Sequence, residues 1–348
     1  MRRFNYTALK NMKWDAEMMG YVAVIHEMKG KQVFYLKQQP ESLDKLVEIA
    51  RVQSTESSNE IEGIRTTNTR LKQLVSEKTT PKNRNEQEIA GYRDALAVIH
   101  ESFEYIPLTP NYLLQLHKIL YSYSEKDVGG RFKNVQNYIS AIDREGKQFT
   151  LFTPPAPYET PDMVSELCDE FNRAIAKCEV DPLILIPIFI HDFLCIHPFL
   201  DGNGRMSRLL TTLLLYRSGY MIGKYISLEA KIAKNKNLYY DALELSQARW
   251  YEGNDDPTPF VKYLLGTIIS AYRDFEERME IIGDKDSAMN IVTKAVATRI
   301  GKFTKADIVA LCPSISVSSV ESSLKKSLRN GVIEKHGNGR ATFYTRNI

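Results

Sequence analysis

The chain has 348 residues, 43% hydrophobic and 26% charged, ordinary values for a globular protein of two or three domains with a sizeable core. Its net charge of +3 demands no nucleic-acid partner. Four cysteines, Cys168, Cys178, Cys195 and Cys312, lack Cys-x-x-Cys spacing, which argues against a zinc site or disulfide frame and for reduced, buried thiols. No apolar leader follows Met1-Arg2-Arg3-Phe4-Asn5, and the longest apolar run, Leu183 to Ile190, is too short to span a bilayer. A soluble cytoplasmic protein without a membrane partner is expected.

In chain order, the spacing predicts a helix from Trp14 to Met28, ended by Gly30. A second starts at Pro40-Glu41-Ser42 and stops near Gly63, its last turns unusually polar and small. Further helices are expected at Thr66–Ser76, Asn85–Phe103 and Thr109–Tyr121. Val135, Tyr138-Ile139 and Phe149 to Phe152 flank the turn Asp143-Arg144-Glu145-Gly146 and read as a β-hairpin. Helices follow at Pro161–Cys178, from Asp181-Pro182 to His197, and at Leu228–Ala233, Asn235–Gln247 and Pro257–Gly283. Gly283 to Asp286 mark a linker, after which residues 285–348 carry 11 Lys+Arg against 4 Asp+Glu. Three short helices and a Gly-hinged hairpin there suggest a winged helix-turn-helix. The predicted division is an N-terminal helical region at 1–105, a core at 106–283 and a C-terminal unit at 285–348.

The chain is organised around His197-Pro198-Phe199-Leu200-Asp201-Gly202-Asn203-Gly204-Arg205-Met206-Ser207-Arg208, a polar, Gly-rich turn between two apolar helical runs. Asn203-Gly204 opens the second helix, so its unpaired N–H groups and positive dipole end face whatever occupies the turn. Asn203 between two glycines tolerates left-handed dihedrals, and the glycines permit close backbone approach to an anion. Arg205 and Arg208, three apart, lie on one face and suit bidentate phosphate binding. His197 is placed to take the proton of an attacking hydroxyl. Asp201 could cap the helix or hold Mg²⁺, and beside two phosphate-facing arginines the metal is the better use. The arrangement asks for a polyphosphate.

The stretch resembles the Fic family signature H-x-F-x-[D/E]-G-N-G-R-x-x-R, matching it at His197, Phe199, Asp201, Gly202, Asn203, Gly204, Arg205 and Arg208. Gly130-Arg131-Phe132 ahead of a hairpin looks like the family's flap, and Asn237 to Leu243 like its helix near the adenine pocket. The resemblance covers about residues 40–250. It implies a mainly α fold: a Fic-type helical core with a small β-hairpin flap, plus the C-terminal winged-helix unit. It further implies transfer of AMP from Mg²⁺-ATP to a protein hydroxyl. His197 would be the general base and Asp201 the Mg²⁺ ligand. The amides of Gly202, Asn203 and Gly204 would form the anion hole, and Arg205 and Arg208 would hold the β/γ-phosphates. Tyr239 and Tyr240 are adenine contacts or core.

Ser58-Asn59-Glu60-Ile61-Glu62-Gly63 is, on its residues alone, a polar helix end with a Gly cap. It is also similar to the family's inhibitory motif [S/T]-x-x-x-E-[G/N], at Ser58, Glu62 and Gly63. The resemblance implies that Glu62, at the end of an inhibitory helix spanning about 42–62, pairs with Arg208 and displaces the γ-phosphate. The expected partners are ATP and a target protein docked along the flap at about 134–152. DNA or a protein is expected at 285–348, and a homodimer stays open. Removal of AMP, transfer of another phosphate-bearing group, or a nucleotide-sensing DNA-binding regulator are the alternative readings.

Overall fold

A computed structural model of the protein describes residues 2–38, 40–142, 146, 148–281 and 287–347. The linker at 283–286 and most of the turn at 143–146 lie outside the described residues. The chain is mainly helical. Its helices are α1 (Ala16–Gln38), α2 (Pro40–Ile61), α3 (Asn68–Val75), α4 (Arg84–Ser102) and α5 (Pro110–Leu120). The hairpin β1 (Ile139–Ile142) and β2 (Gln148–Phe152) follows, then α6 (Thr160–Lys177), α7 (Pro182–Ile196), α8 (Asn203–Arg217), α9 (Leu228–Lys234), α10 (Lys236–Gln247) and α11 (Thr258–Ile281). The last unit contains α12 (Ala288–Ala297), α13 (Lys305–Leu311), α14 (Val317–Arg329), β3 (Ile333–His336) and β4 (Phe343–Arg346).

One core runs from Phe4 to Met279 and is centred on α7, whose Leu183, Leu185, Ile186, Phe189, Phe193 and Ile196 have essentially no exposed surface. Pro182 and an Asp181 side chain accepting from the Leu183 N–H at 2.8 Å start that helix. Helices α6, α8, α10 and α11 pack around it. The N-terminal helices share this core, α1 lying against α11 and α2 against α4 and α9. A second core, Ile281 to Ile333, belongs to the C-terminal unit, where α12 and α13 pack on α14. Its antiparallel β3–β4 hairpin is extended by a bridge from Phe303 to Tyr344.

Two expectations need correction. Helix α1 does not stop at Gly30 but continues to Gln38. A glycine inside a helix costs only about 1 kcal/mol, which packing of α1 along α11 outweighs. Cys178 is exposed rather than buried, because it is the left-handed C-cap of α6 (φ 54°) and stands outside the helix's apolar face.

Candidate active site

The site is built at the junction of α7 and α8. His197 caps α7 in the left-handed region (φ 49°, ψ 60°), where a residue with a Cβ is uncommon. The turn then drives Phe199 into the core, stacked on His117 with ring centroids 3.8 Å apart. Asn203 opens α8 as its place before Gly204 implied, and does not use the left-handed backbone it could tolerate. It is the first helical residue of α8, and its buried amide knits the turn, accepting from the Phe199 N–H at 2.9 Å and donating to the Phe199 carbonyl at 2.7 Å. The left-handed backbone falls on Gly202 (φ +84°), where an added Cβ would lie 3.0 Å from the Tyr121 hydroxyl.

His197 Nδ1 lies 3.2 Å from the Leu194 carbonyl. A carbonyl only accepts, so Nδ1 carries the proton and Nε2 keeps a free lone pair. Burial lowers the imidazole pKa to about 4, opposed by the Leu194 carbonyl and assisted by the Lys133 charge. At neutral pH the ring is therefore uncharged, the form a general base requires.

The two arginines diverge. Arg208, 3% exposed, crosses to the end of α2: Nε donates to Ser58 Oγ at 2.8 Å, and Nη2 donates to the Ser58 carbonyl at 2.9 Å and to Glu62 Oε1 at 2.7 Å. Burial disfavours its charge, yet the Glu62 carboxylate together with Tyr239 and Tyr92 offsets that and the guanidinium pKa is raised. Arg205 lines the same cavity as Arg208 but is held by other partners. It pairs with Glu88 at 3.0 Å, donates to the Tyr121 hydroxyl at 2.8 Å and is 1% exposed.

Glu62 does more than meet Arg208. A Cβ on Gly204 would fall 2.3 Å from Glu62 Oε1, so the carboxylate sits directly over the first turn of α8. No side chain caps that helix. The polar end of α2 that looked odd in sequence is its buried face: Ser54, Thr55, Ser57, Ser58 and Asn59 point inward, and Gly63 (φ +78°) ends the turn. The expected anion hole loses one donor, because the Gly202 N–H is taken by Asp201 Oδ1 at 2.8 Å.

Asp201 remains 42% exposed, with Oδ2 3.7 Å from Lys126 Nζ. A hard, accessible carboxylate oxygen beside a phosphate-sized space fits Mg²⁺, which takes one or two carboxylates and keeps several waters. A cavity of about 530 Å³ joins His197, Asp201, Gly204, Arg208 and Glu62 to a more apolar end formed by Leu194, Leu243 and the hairpin residues Ile139 and Leu151. Tyr239 and Tyr240 both line it. Tyr239 is 4% exposed and packed against Phe260 and Tyr263, whereas Tyr240 is 44% exposed.

Sequence reasoning missed the supports. His117 accepts from the Gly130 N–H at 3.0 Å and meets the Asp201 carbonyl at 3.0 Å, tying the flap's entry to the turn. Lys133 and Asn137 hold the turn's backbone. Only the nearness of Lys133 to Gly130-Arg131-Phe132 could have pointed to it.

Residues 107–215 match the Fic/DOC family. A Fido domain-containing protein of Dictyostelium discoideum is 27% identical over 128 residues, 36% of this chain and 85% of that protein. The protein adenylyltransferase Fic of Drosophila willistoni is 28% identical over 181 residues, 51% of this chain but only 31% of the enzyme. Among solved structures, a Fic family protein from Desulfovibrio desulfuricans superposes with a TM-score of 0.61 at 21% identity, covering 97% of both chains. A Fic domain-containing signaling protein from Bacteroides thetaiotaomicron gives 0.63 at 24% identity, covering 76% of this chain and 99% of that one. These two share the fold. The His197–Arg208 signature at the junction of α7 and α8 lies within residues 107–215, the region that matches the Fic/DOC family.

Proposed function

We propose that the protein is an auto-inhibited adenylyltransferase that moves AMP from Mg²⁺-ATP to a hydroxyl side chain of a target protein. The observation that carries this reading is an uncharged His197 with Nε2 free, beside the uncapped N-terminus of α8. The target oxygen attacks the α-phosphorus, its proton passes to His197 Nε2, and the bond to pyrophosphate breaks with the electron pair leaving on oxygen. The α8 amides beyond Gly202 and the Arg208 guanidinium hold the departing phosphates. Asp201 would hold Mg²⁺, which supplies charge neutralisation on the phosphate oxygens. Arg205 braces the turn through Glu88 and Tyr121 rather than clamping phosphate. Tyr240, the more exposed tyrosine, is assigned to the base end of the cavity. The name of the Drosophila relative supports the activity.

Inhibition follows from occupancy. Glu62 places negative charge over Gly204 and engages Arg208, the space and the cation that a γ-phosphate needs. Target docking is assigned to the flap, where Val135, Tyr138 and Phe149 are exposed beside the hairpin. Free thiols at Cys168, Cys195 and Cys312 suit a cytoplasmic protein.

ATP labelled on the α-phosphate should mark protein. Label arriving from the γ-phosphate instead would refute adenylylation.

A second reading concerns the C-terminal unit, which we take as a winged helix. Ser318, Ser322, Lys325 and Arg329 form one exposed stripe on α14, which favours a nucleic-acid contact. The full chain should then shift duplex DNA at low salt and release it as salt rises. No shift at low salt removes this reading.

A further inference from the structure

Four consecutive carbonyls of the catalytic turn are held by one short segment ahead of the hairpin. The Lys133 ammonium donates to the Ile196 carbonyl at 3.0 Å, and the Lys133 backbone N–H donates to the Pro198 carbonyl at 2.8 Å. Asn137 Nδ2 donates to the His197 carbonyl at 3.0 Å and to the Phe199 carbonyl at 2.9 Å. The two side chains form one unit, because Lys133 Nζ also donates to Asn137 Oδ1 at 2.9 Å. Lys133 is 3% exposed, and an ammonium is buried at low cost only where its donors are satisfied.

This brace lies where the turn needs it. His197 caps α7 at φ 49°, a position that usually falls to glycine or asparagine. Its own side chain contributes a single hydrogen bond, to Leu194, within the helix it ends. The carbonyls of Ile196, His197 and Pro198 are instead oriented from outside, by residues that do not themselves line the cavity, and the Phe199 carbonyl is shared between Asn137 and the turn's own Asn203.

We propose that Lys133 and Asn137 are positioning residues for group transfer: they fix the left-handed turn at His197 and thereby aim its Nε2 into the cavity. The inference rests on the adenylyl-transfer reading. Because β1 begins at Ile139, two residues after Asn137, the brace also joins the catalytic turn to the strand assigned to target docking. A segment bound on the hairpin and the base that serves it are held by the same few residues.

The test uses the full chain carrying Glu62→Gly as parent, with Lys133→Met and Asn137→Leu added singly. It measures kcat, the KM for ATP, and the ¹⁵N signals of the His197 ring. Each substitution is expected to lower kcat by about 10- to 100-fold while leaving the KM for ATP within about twofold, since misplacement of about 1 Å costs on that order. The parent should show a single Nδ1–H tautomer and each variant a mixture. Retained kcat with an unchanged ring signal would overturn the proposal, as would equal losses of kcat and ATP affinity. If either variant fails to fold, Lys133→Gln and Asn137→Ser are read by the same criteria. A parent that transfers nothing removes the activity reading alone. The ring signals do not depend on transfer and still decide whether the brace sets His197.

Discussion

Glu62 Oε1 accepts a 2.7 Å hydrogen bond from Arg208 Nη2, across 146 residues of chain. The bond is charge-assisted and one partner is 3% exposed, so it outweighs an ordinary surface pair. It holds the end of α2 over the first turn of α8, where the proposed transfer places the phosphates. On the proposed function, the same carboxylate that satisfies Arg208 closes the site to the γ-phosphate.

Arg208→Ala removes both the proposed phosphate contact and the anchor of Glu62. In a Glu62→Gly background the anchor is already irrelevant, so the remaining loss reports phosphate binding alone. Transfer should fall by about 10- to 100-fold, a few kcal/mol of charge-assisted contact. Full activity of the double variant in a single-turnover assay would disprove the phosphate role.

Gly204→Ala tests the carboxylate's seat. The new Cβ would meet Glu62 Oε1 at 2.3 Å, so one of them must move. Thermal melts should show Gly204→Ala destabilising the wild-type chain but much less the Glu62→Gly chain, with a coupling of about 1 kcal/mol. Additive effects would mean that Glu62 does not lie over α8 in solution.

His197→Ala should abolish transfer, a loss of at least about 10²-fold, while ATP binding by calorimetry persists. Lost binding would make His197 a structural residue of the turn.

Burial lowers the pKa values of His100, His117, His191 and His197 to about 4. Depressed folded values mean that the unfolded chain binds more protons between about pH 4 and 6.5, so stability rises with pH through that window. The melting temperature should drop as pH falls from 7 to 5, each ring contributing on the order of 1–2 kcal/mol by pH 5. The acid limb of transfer should likewise lie nearer pH 4 than pH 6.5. A melting temperature unchanged between pH 7 and 5 would contradict the buried neutral rings.

Much of this was legible in sequence because it is local. The turn from His197 to Arg208, the helix starts at Pro110 and Pro182 and the hairpin strands all follow from short-range patterns. The Ser58–Gly63 pattern pointed at Arg208 only through resemblance, since nothing local joins them. What escaped were partners set by packing. Arg205 and Arg208 share a helical face, but Glu88 and Tyr121 claim one and Ser58 with Glu62 the other. The sequence placed Asn203 at the start of α8, but not its amide on the buried Phe199 backbone. Lys133 gave no signal of its own, because burial of a lysine beside carbonyls depends on a fold that brings residues 133 and 196 together.

The most direct test of a guarded transfer site is intact-mass spectrometry of the wild-type and Glu62→Gly chains after incubation with Mg²⁺-ATP. The account predicts that the Glu62→Gly chain gains the mass of AMP at least about tenfold faster than wild type, a release of roughly 1.4 kcal/mol or more of inhibition. Equal rates in the two chains, or adducts of any other mass, would contradict it.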